Sequence, residues 1–479
     1  TLTKNLWLSD KTLELEDVHR QVDLYYPSLD SAELERELAK AEIMGAKSSF
    51  IPRFAQRSLL ESYRELDLKR KEGFTFSSEL SWQSPFAVEL IGSVRATTLP
   101  VLAEDGLIYN SNKAFLDSVK KSKLYGYNDS EMSFGLRLPI LRNLLIDSYR
   151  ADLKQAKLLS SSAEYGILKK RADLFLESSH KYWSWVMAGM NYRVAEKMLQ
   201  LSKERLEGTN ERVKEGASPP IDFVEAQSQV TSREEALIKA RRDLEKEAIS
   251  LSLYIWMNEL DLFTPSYKNL PESIPEPLSI KTEIINEHQL SALMRPEIFL
   301  LDIESKQESI NLRLAKNEML PKLDLEVLPT QSLEDFDDGT NIRGSLVLDV
   351  PLYPLKAKSQ ILKAKTKLEK NSLAQRQIKA AISNEIRDAV SYLETSRERI
   401  ARSREAFDQL NQLAEAERIR FKFGSSNLFL LNQREISAAQ AETKLIEALA
   451  DHQKALANYR YAIGEWSIPN FDKTWISKL

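Results

Sequence analysis

The sequence predicts a mainly α-helical fold made of two structural repeats, with a smaller β-strand part. The first observation is composition, because 479 residues include only 14 Gly and 17 Pro and 29% are charged, as in long helices and coiled coils. The second is repetition, since residues 212–218 return in similar form as residues 420–426. The third is a set of four segments in which apolar and polar residues alternate, as in half-buried strands.

Each repeat is expected to contain two strands, a long helix, a tip and a return helix. In the first repeat, residues 1–257, these are strands near 74–83 and 131–139, a long helix at 140–215, a tip at Gly216 and a return helix at 219–257. In the second repeat, residues 289–465, they are strands near 321–328 and 341–351, a long helix at 355–423, a tip at Gly424 and a return helix at 428–463. Residues 258–288, rich in Pro and Ser, read as a connector, and residues 466–479 as a C-terminal tail.

The long helices cannot bury their apolar stripe in a compact core. Pro139 and Gly216 are 77 residues apart, which corresponds to a helix on the order of 110 Å at 1.5 Å per residue. Such helices must pack side by side, so antiparallel coiled coils are expected. Gly216 and Gly424 are expected to end them, because glycine accepts the positive φ of a helix C-terminal cap.

The alternating segments have the length of tilted membrane-spanning strands, about 9–11 residues. Four strands cannot close a barrel, since the smallest packed barrels need about eight, and lipid does not tolerate open strand edges. Strands that enter a membrane therefore require several copies of the chain, and three copies would supply twelve strands. Residues 53–71 are expected to be helical, and residues 84–128 receive no assignment.

Charged residues on the polar side of these strands are expected to face the water-filled lumen of a barrel. If the strands formed a soluble hairpin instead, the same residues would lie on its surface. They are Arg137, Lys322, Asp324, Glu326, Arg343 and Asp349.

The sequence gives little support for catalysis. It has no cysteine, its four histidines show no ligand spacing, and it lacks Walker A, Ser-His-Asp and HExxH patterns. We therefore expect no enzyme, no metal and no cofactor. A net charge of −4 without a basic stripe also argues against a nucleic-acid partner. No run approaches 18 apolar residues, so no transmembrane helix is expected.

Several further motifs occur twice in the same order along the chain. They are a proline between helix and strand at Pro52 and Pro321, a proline between strand and long helix at Pro139 and Pro351, the two tips, and similar starts of the return helices at 221–227 and 428–435. In the order and doubled spacing of these motifs, the chain from about Thr12 to Gly464 resembles the TolC-type outer-membrane efflux proteins.

The resemblance implies a passive export channel. The expected assembly is a homotrimer with a 12-stranded β-barrel in outer-membrane lipid and an α-helical barrel through the periplasm, with the connector in an equatorial region. A periplasmic adaptor protein and an inner-membrane transporter are the implied partners. The implied location is the bacterial outer membrane, with most of the chain in the periplasm and a signal peptide removed.

The resemblance also implies two kinds of site. Residues at the tips are expected to dock the adaptor: Arg212, Lys214, Gly216, Ala217, Ser218, Arg420, Lys422, Gly424, Ser425 and Ser426. An acidic ring at Glu415, with Glu417 nearby, is expected to constrict the tunnel entrance; the acidic partner one turn earlier is replaced by Gln412.

Two other classes of function stay open at this point. The first is a soluble, elongated coiled-coil scaffold decorated with β-hairpins, which would be a stable monomer without detergent. The second is a periplasmic adaptor, which would need a lipoyl-like β-domain that the sequence does not show.

Overall fold

The computed structural model describes residues 11–64, 70–97, 130–257, 261–277, 295–333 and 339–467. Residues 258–260 and 278–288 of the expected connector, and the expected tail after residue 467, lie outside these ranges. The chain forms two compact units: unit 1 is Thr1–Arg36, Ser162–Leu301 and Leu373–Leu479, and unit 2 is Glu37–Ser161 and Asp302–Ser372. Each unit takes residues from both repeats, because strands and helices of one repeat pack against those of the other.

Helices make up most of the described chain, which confirms the mainly α fold class. Their bounds are α1 Leu15–Tyr25, α2 Pro27–Ser48, α3 Ser148–Lys214, α4 Pro220–Ser252, α5 Pro296–Asn317, α6 Leu355–Lys422 and α7 Leu428–Ala462. The long helices are α3 and α6, and their return helices are α4 and α7. In the ranges that the structure describes, no helix has the length and apolar character needed to cross a membrane.

The first long helix, α3, begins at Ser148 and not at Ile140 as the sequence suggests. Asp147 is its N-cap: the carboxylate accepts a hydrogen bond from the backbone amide of Arg150 at 2.8 Å. Before this cap, Asn143 has a φ of 72°, which a right-handed helix cannot contain. Residues 140–147 therefore form a separate connection between strand and helix.

Unit 2 contains one antiparallel sheet. Its described strands, in spatial order, are β1 Arg53–Arg64, β2 Arg70–Gln83, β3 Glu89–Thr97, β4 Glu131–Pro139, β5 Lys322–Ser332 and β6 Asn341–Asp349. The two repeats join where β4 pairs with β5. The prediction of four strands per chain is wrong, since the described residues form six.

β1 and β3 are not predicted from the sequence, because their alternation of apolar and polar residues is weak. In β1, Gln56 and Ser58 interrupt the apolar positions Phe54 and Leu60, which led to the wrong helical expectation for this segment. In β3, Gly92 interrupts the pattern. Pairing decides both cases: each residue of β1 has a partner in β2, and β3 is paired on both sides. Such tertiary pairing overrides weak local propensity.

The core of unit 1 is shared by helices of both repeats. One buried cluster contains Trp185 of α3, Leu251 of α4, Ile400 of α6 and Leu449 of α7. Each such side chain contributes about 1.5–3 kcal/mol when it is fully removed from water. The segment before α1 joins this core, since the Tyr182 hydroxyl donates to the backbone carbonyl of Leu13 at 2.9 Å.

His19 anchors α1 on α3. Its Nε2 lies 3.2 Å from the carbonyl oxygen of Phe175 and 2.9 Å from Ser179 Oγ. Its ring stacks on that of Phe175, with the centroids 4.3 Å apart. Burial lowers the pKa of the His19 imidazole from 6.5 to about 4, although the hydrogen bond to Phe175 acts in the opposite direction.

This pKa predicts acid sensitivity between about pH 6.5 and pH 4. In that window the unfolded chain binds a proton at His19 that the folded chain does not, so the folded state loses stability as pH falls. The His19→Gln variant lacks this proton-binding group. Its melting temperature should therefore change less than that of the parent protein between pH 7 and pH 4.5. Parallel pH profiles of the two proteins would contradict the assignment.

The close packing around Gly135 of β4 leads to a second stability prediction. A Cβ at this position would lie 2.0 Å from the carbonyl oxygen of Val327 in β5. We expect Gly135→Ala to destabilise the protein by about 1–3 kcal/mol, as overpacking does, in thermal unfolding of detergent-solubilised protein. Gly344→Ala in β6 is the matched control, because nothing lies within 4 Å of its added Cβ. Equal stability of the two variants would show that the close approach is unimportant.

Candidate functional site

Tip 1, residues 212–218, is a tight helix-ending turn. Gly216 has a φ of 73°. Its amide donates to the carbonyl of Val213 at 3.1 Å, and the amide of Ala217 donates to the carbonyl of Arg212 at 2.8 Å. This is the Schellman arrangement, which satisfies the last carbonyls of a helix and needs a residue that tolerates positive φ.

Tip 2, residues 420–426, repeats the arrangement. Gly424 also has a φ of 73°. Its amide donates to the carbonyl of Phe421 at 3.0 Å, and the amide of Ser425 donates to the carbonyl of Arg420 at 2.9 Å. The sequence repeat therefore corresponds to two turns with the same backbone hydrogen bonds.

The two tips lie beside each other. The guanidinium carbon of Arg212 is 5.4 Å from the ring centroid of Phe421, a cation–π distance. The ten residues predicted at the tips are all exposed or half-buried. The tips thus form one surface in which four cationic side chains surround two glycine turns.

The tip surface also carries large apolar side chains that the sequence analysis missed. They are exposed by 56–80%: Val224, Ile419, Ile221, Phe429 and Phe423. A signal was present in the repeat, because Phe423 stands where the first copy has Glu215. Exposed aromatic and aliphatic side chains beside cationic ones are typical of a protein interface.

Near the tips, a cluster of charged side chains connects α3, α6 and α7. The Glu435 carboxylate of α7 accepts hydrogen bonds from Arg205 of α3 at 2.7 Å and from Arg418 of α6 at 3.0 Å. Arg205 also donates to Asn432 at 2.8 Å. Burial lowers the pKa of Arg233 on α4, while the Glu435 charge raises it. The side chain of Glu435 is only 4% exposed, so this pairing takes place away from water.

The two glutamates expected at the constriction have different surroundings. Glu415 has a side chain 54% exposed and accepts a hydrogen bond from Arg418 at 2.6 Å. Glu417 is buried, and it pairs with Arg420 of the same helix at 3.3 Å. Only Glu415 therefore presents its carboxylate at the surface of the single chain.

The second candidate site is the polar face of the sheet. Strand register places all six predicted lumen residues on this face, because directly paired residues point to the same side. Arg137 lies between two carboxylates, with Glu89 at 2.8 Å and Glu326 at 3.1 Å. Lys322 pairs with Asp324 at 3.2 Å. Glu89 belongs to β3 and was not predicted.

The opposite face of the same sheet is apolar and exposed. Its large exposed side chains come from five strands: Phe54, Leu60, Phe74, Leu80, Trp82, Met132, Phe134, Leu136, Leu325, Ile342, Leu346 and Leu348. A continuous exposed apolar surface of this kind marks contact with lipid or with another protein.

Sequence comparison finds no relative. No protein-family model matches the chain, and no curated protein matches it.

Structure comparison does find proteins of similar fold. The outer membrane channel CmeC of Campylobacter jejuni is 15% identical, with 97% of this chain and 88% of that chain covered and a TM-score of 0.67. The outer membrane protein VceC of Vibrio cholerae is 13% identical, with 94% and 96% covered and a TM-score of 0.62. The MtrE outer membrane channel of Neisseria gonorrhoeae, in its open state, is 16% identical, with 94% and 88% covered and a TM-score of 0.64.

The chain has the fold of these outer-membrane channels. A TolC-type fold, with long helices and a small antiparallel sheet, is therefore confirmed over nearly the whole chain. At this level of identity the likeness concerns the fold, and the roles of the tips and of the sheet rest on their own geometry.

The Glu435 cluster of this TolC-type fold yields a stability prediction. Glu435→Gln leaves Arg205, whose side chain is 11% exposed, without its charged partner. Removing one member of a buried pair costs about 3–5 kcal/mol, so the melting temperature should fall clearly. Glu415→Gln is the matched control, since exposed pairs contribute at most about 1 kcal/mol. A Glu435→Gln protein as stable as the control would contradict a structural role for the cluster.

Proposed function

We propose that the protein is a passive export duct of the bacterial outer membrane, with most of its chain in the periplasm. The observation that carries the proposal is the sheet with two unlike faces, one charged and one apolar and exposed. Such a sheet suits a barrel with lipid outside and water inside. The fold, shared with outer-membrane channels over 94–97% of the chain, supports the same function.

A duct of this kind consists of several copies of the chain. One sheet has two outer edges, and lipid does not tolerate unpaired backbone groups. A homotrimer, as the family resemblance implies, closes the sheet into a barrel and places the helical hairpins side by side around a tunnel. The protein catalyses nothing in this proposal, since an inner-membrane transporter supplies the energy.

The tip surface is the proposed docking site for a periplasmic adaptor. Its support is the combination of four cationic residues with exposed Phe423 and Phe429 at the ends of the helical hairpins. Aromatic and arginine side chains are the residues that most often dominate binding energy at protein interfaces.

Glu415 is the proposed constriction residue. Its exposure on α6 lets it meet its counterparts in a symmetric assembly, and a ring of carboxylates favours cations over anions. Its bond to Arg418 offsets part of that charge. Glu417 is buried in the single chain and supports the helix through Arg420.

The exposed apolar face argues against the soluble scaffold. Soluble monomers rarely expose contiguous apolar patches larger than a few hundred Å². The adaptor alternative needs a lipoyl-like domain, whereas the sheet in the described part of the chain is a single six-stranded antiparallel sheet.

Substitution of the lipid face tests the membrane proposal. Leu136→Arg places a charge on the apolar face and should cost about 2–4 kcal/mol at mid-bilayer. We expect a large loss of the heat-modifiable oligomer from the outer-membrane fraction, measured by immunoblot. Arg343→Ser, on the polar face, is the control and should leave the oligomer in place. Equal tolerance of both changes would overturn the proposal.

Photo-crosslinking in cells tests the tips. A photoreactive amino acid at Ser218 or Ser426 should capture an adaptor protein, which mass spectrometry identifies. The same amino acid at Lys379, an exposed position of α6 far from tip 2, is the control. Capture of the same partner from Lys379 with equal yield, or none from either tip, would contradict docking at the tips.

A further inference from the structure

We infer that each chain contributes all six strands to the membrane barrel, so that three copies close as 18 strands, with β6 of one copy paired to β1 of the next. This inference rests on the proposed function, because it assigns the way in which the duct closes. It gives a barrel different from the 12-stranded one that the family resemblance implied.

β1, β2 and β3 are fully integrated in the sheet. The register of β1 with β2 runs without interruption from Arg53↔Ser81 to Arg64↔Arg70. β2 continues into β3 from Thr75↔Thr97 to Gln83↔Glu89. A barrel of four strands per chain would have to break one of these ladders and leave its backbone groups unpaired.

Both faces of the sheet also continue across the additional strands. On the apolar side, Trp82 pairs with Leu90, Leu90 with Leu136, and Leu136 with Val327. One row of apolar side chains thus crosses from β2 to β5. Phe54 and Leu60 of β1 extend the same face and are strongly exposed.

The polar side continues in the same way. Gln83 pairs with Glu89, Glu89 with Arg137, and Arg137 with Glu326. The carboxylate of Glu89, on the additional strand β3, binds the Arg137 side chain at 2.8 Å. β3 therefore takes part in the charged surface that the proposed lumen requires.

The two edges of the sheet are complementary. In the sheet of described residues, β1 and β6 are the outermost strands. All five pairings between them are antiparallel, so β6 runs opposite to β1. In a rotationally symmetric ring, β6 of one copy meets β1 of the next in the antiparallel sense. A second copy of this chain is thus the partner that fits each edge.

Closure with 18 strands has a consequence for the cargo. Barrel diameter grows roughly linearly with strand number, so 18 strands give a lumen about half as wide again as 12, and barrels of 16–18 strands hold an aqueous channel. The membrane end of this duct would therefore pass bulky hydrated solutes, and any size selection would lie at the helical tips.

Disulfide mapping tests the closure, and the chain suits it because it has no cysteine. Ser345→Cys on the polar face of β6 is combined with Ala55→Cys, Arg57→Cys or Leu59→Cys on the same face of β1. Three positions are tried because the register between copies is open, and a disulfide needs Cβ atoms about 3.5–4.5 Å apart. After oxidation in outer membranes, one pair should convert most of the monomer band into dimer and trimer bands. Native mass spectrometry of that complex should give three chains.

The control pair is Ser345→Cys with Ser93→Cys on the polar face of β3. Two strands separate β3 from β6 within a chain, so this pair crosslinks only if the barrel closes with four strands per chain. A Ser93–Ser345 crosslink would overturn the inference and leave the duct intact. A membrane trimer without any β1–β6 crosslink, or a complex of two chains, would also overturn it. A monomer that stays in detergent-free buffer would refute the duct itself.

Discussion

The pairing of backbone hydrogen bonds across β4 and β5 is the constraint on which the rest of the structure depends. These strands come from different repeats, and their register joins residue 131 to residue 332. Since β5 pairs antiparallel with both β4 and β6, these two strands run in the same direction. The helices that follow them, α3 and α6, therefore both begin at the same end of the sheet. The duplication therefore yields one sheet and not two hairpins. In the proposed duct, the same requirement for paired backbone groups makes the outer strands of the sheet the surfaces that bind further copies.

Where the long helices end, turn hydrogen bonds and charge pairs take the place of strand pairing. Two Schellman turns end α3 and α6, and Arg212 of one tip rests on Phe421 of the other. The Glu435 carboxylate then binds arginines from both long helices. Because the Glu435 side chain is almost fully buried, its negative charge is stabilised only while both arginines are present. If the tips dock an adaptor as proposed, these contacts would reduce the entropy lost on binding, because they hold the hairpins in place beforehand.

Much of this arrangement could be predicted from the sequence, and the exceptions have physical causes. Prolines, glycines and the alternation of β4 and β6 are local signals, and the strands and tip turns occur at these signals. β1 is different, because its polar Gln56 and Ser58 hide the alternation and only the ladder with β2 makes it a strand. The burial of Glu417 and the exposure of Phe423 depend on which side of α6 faces the other helices, which a helical period alone does not specify. The partners of Arg137 and Glu435 lie far away in the chain, so no local pattern indicates them.

The most direct test of the proposed duct is the electrical conductance of the purified protein in a planar lipid bilayer. A duct should give discrete, long-lived conductance steps that require the assembled oligomer and disappear when it is heat-dissociated before addition. A protein that remains a monomer in detergent-free buffer and leaves the bilayer current unchanged at every concentration tested is not a duct.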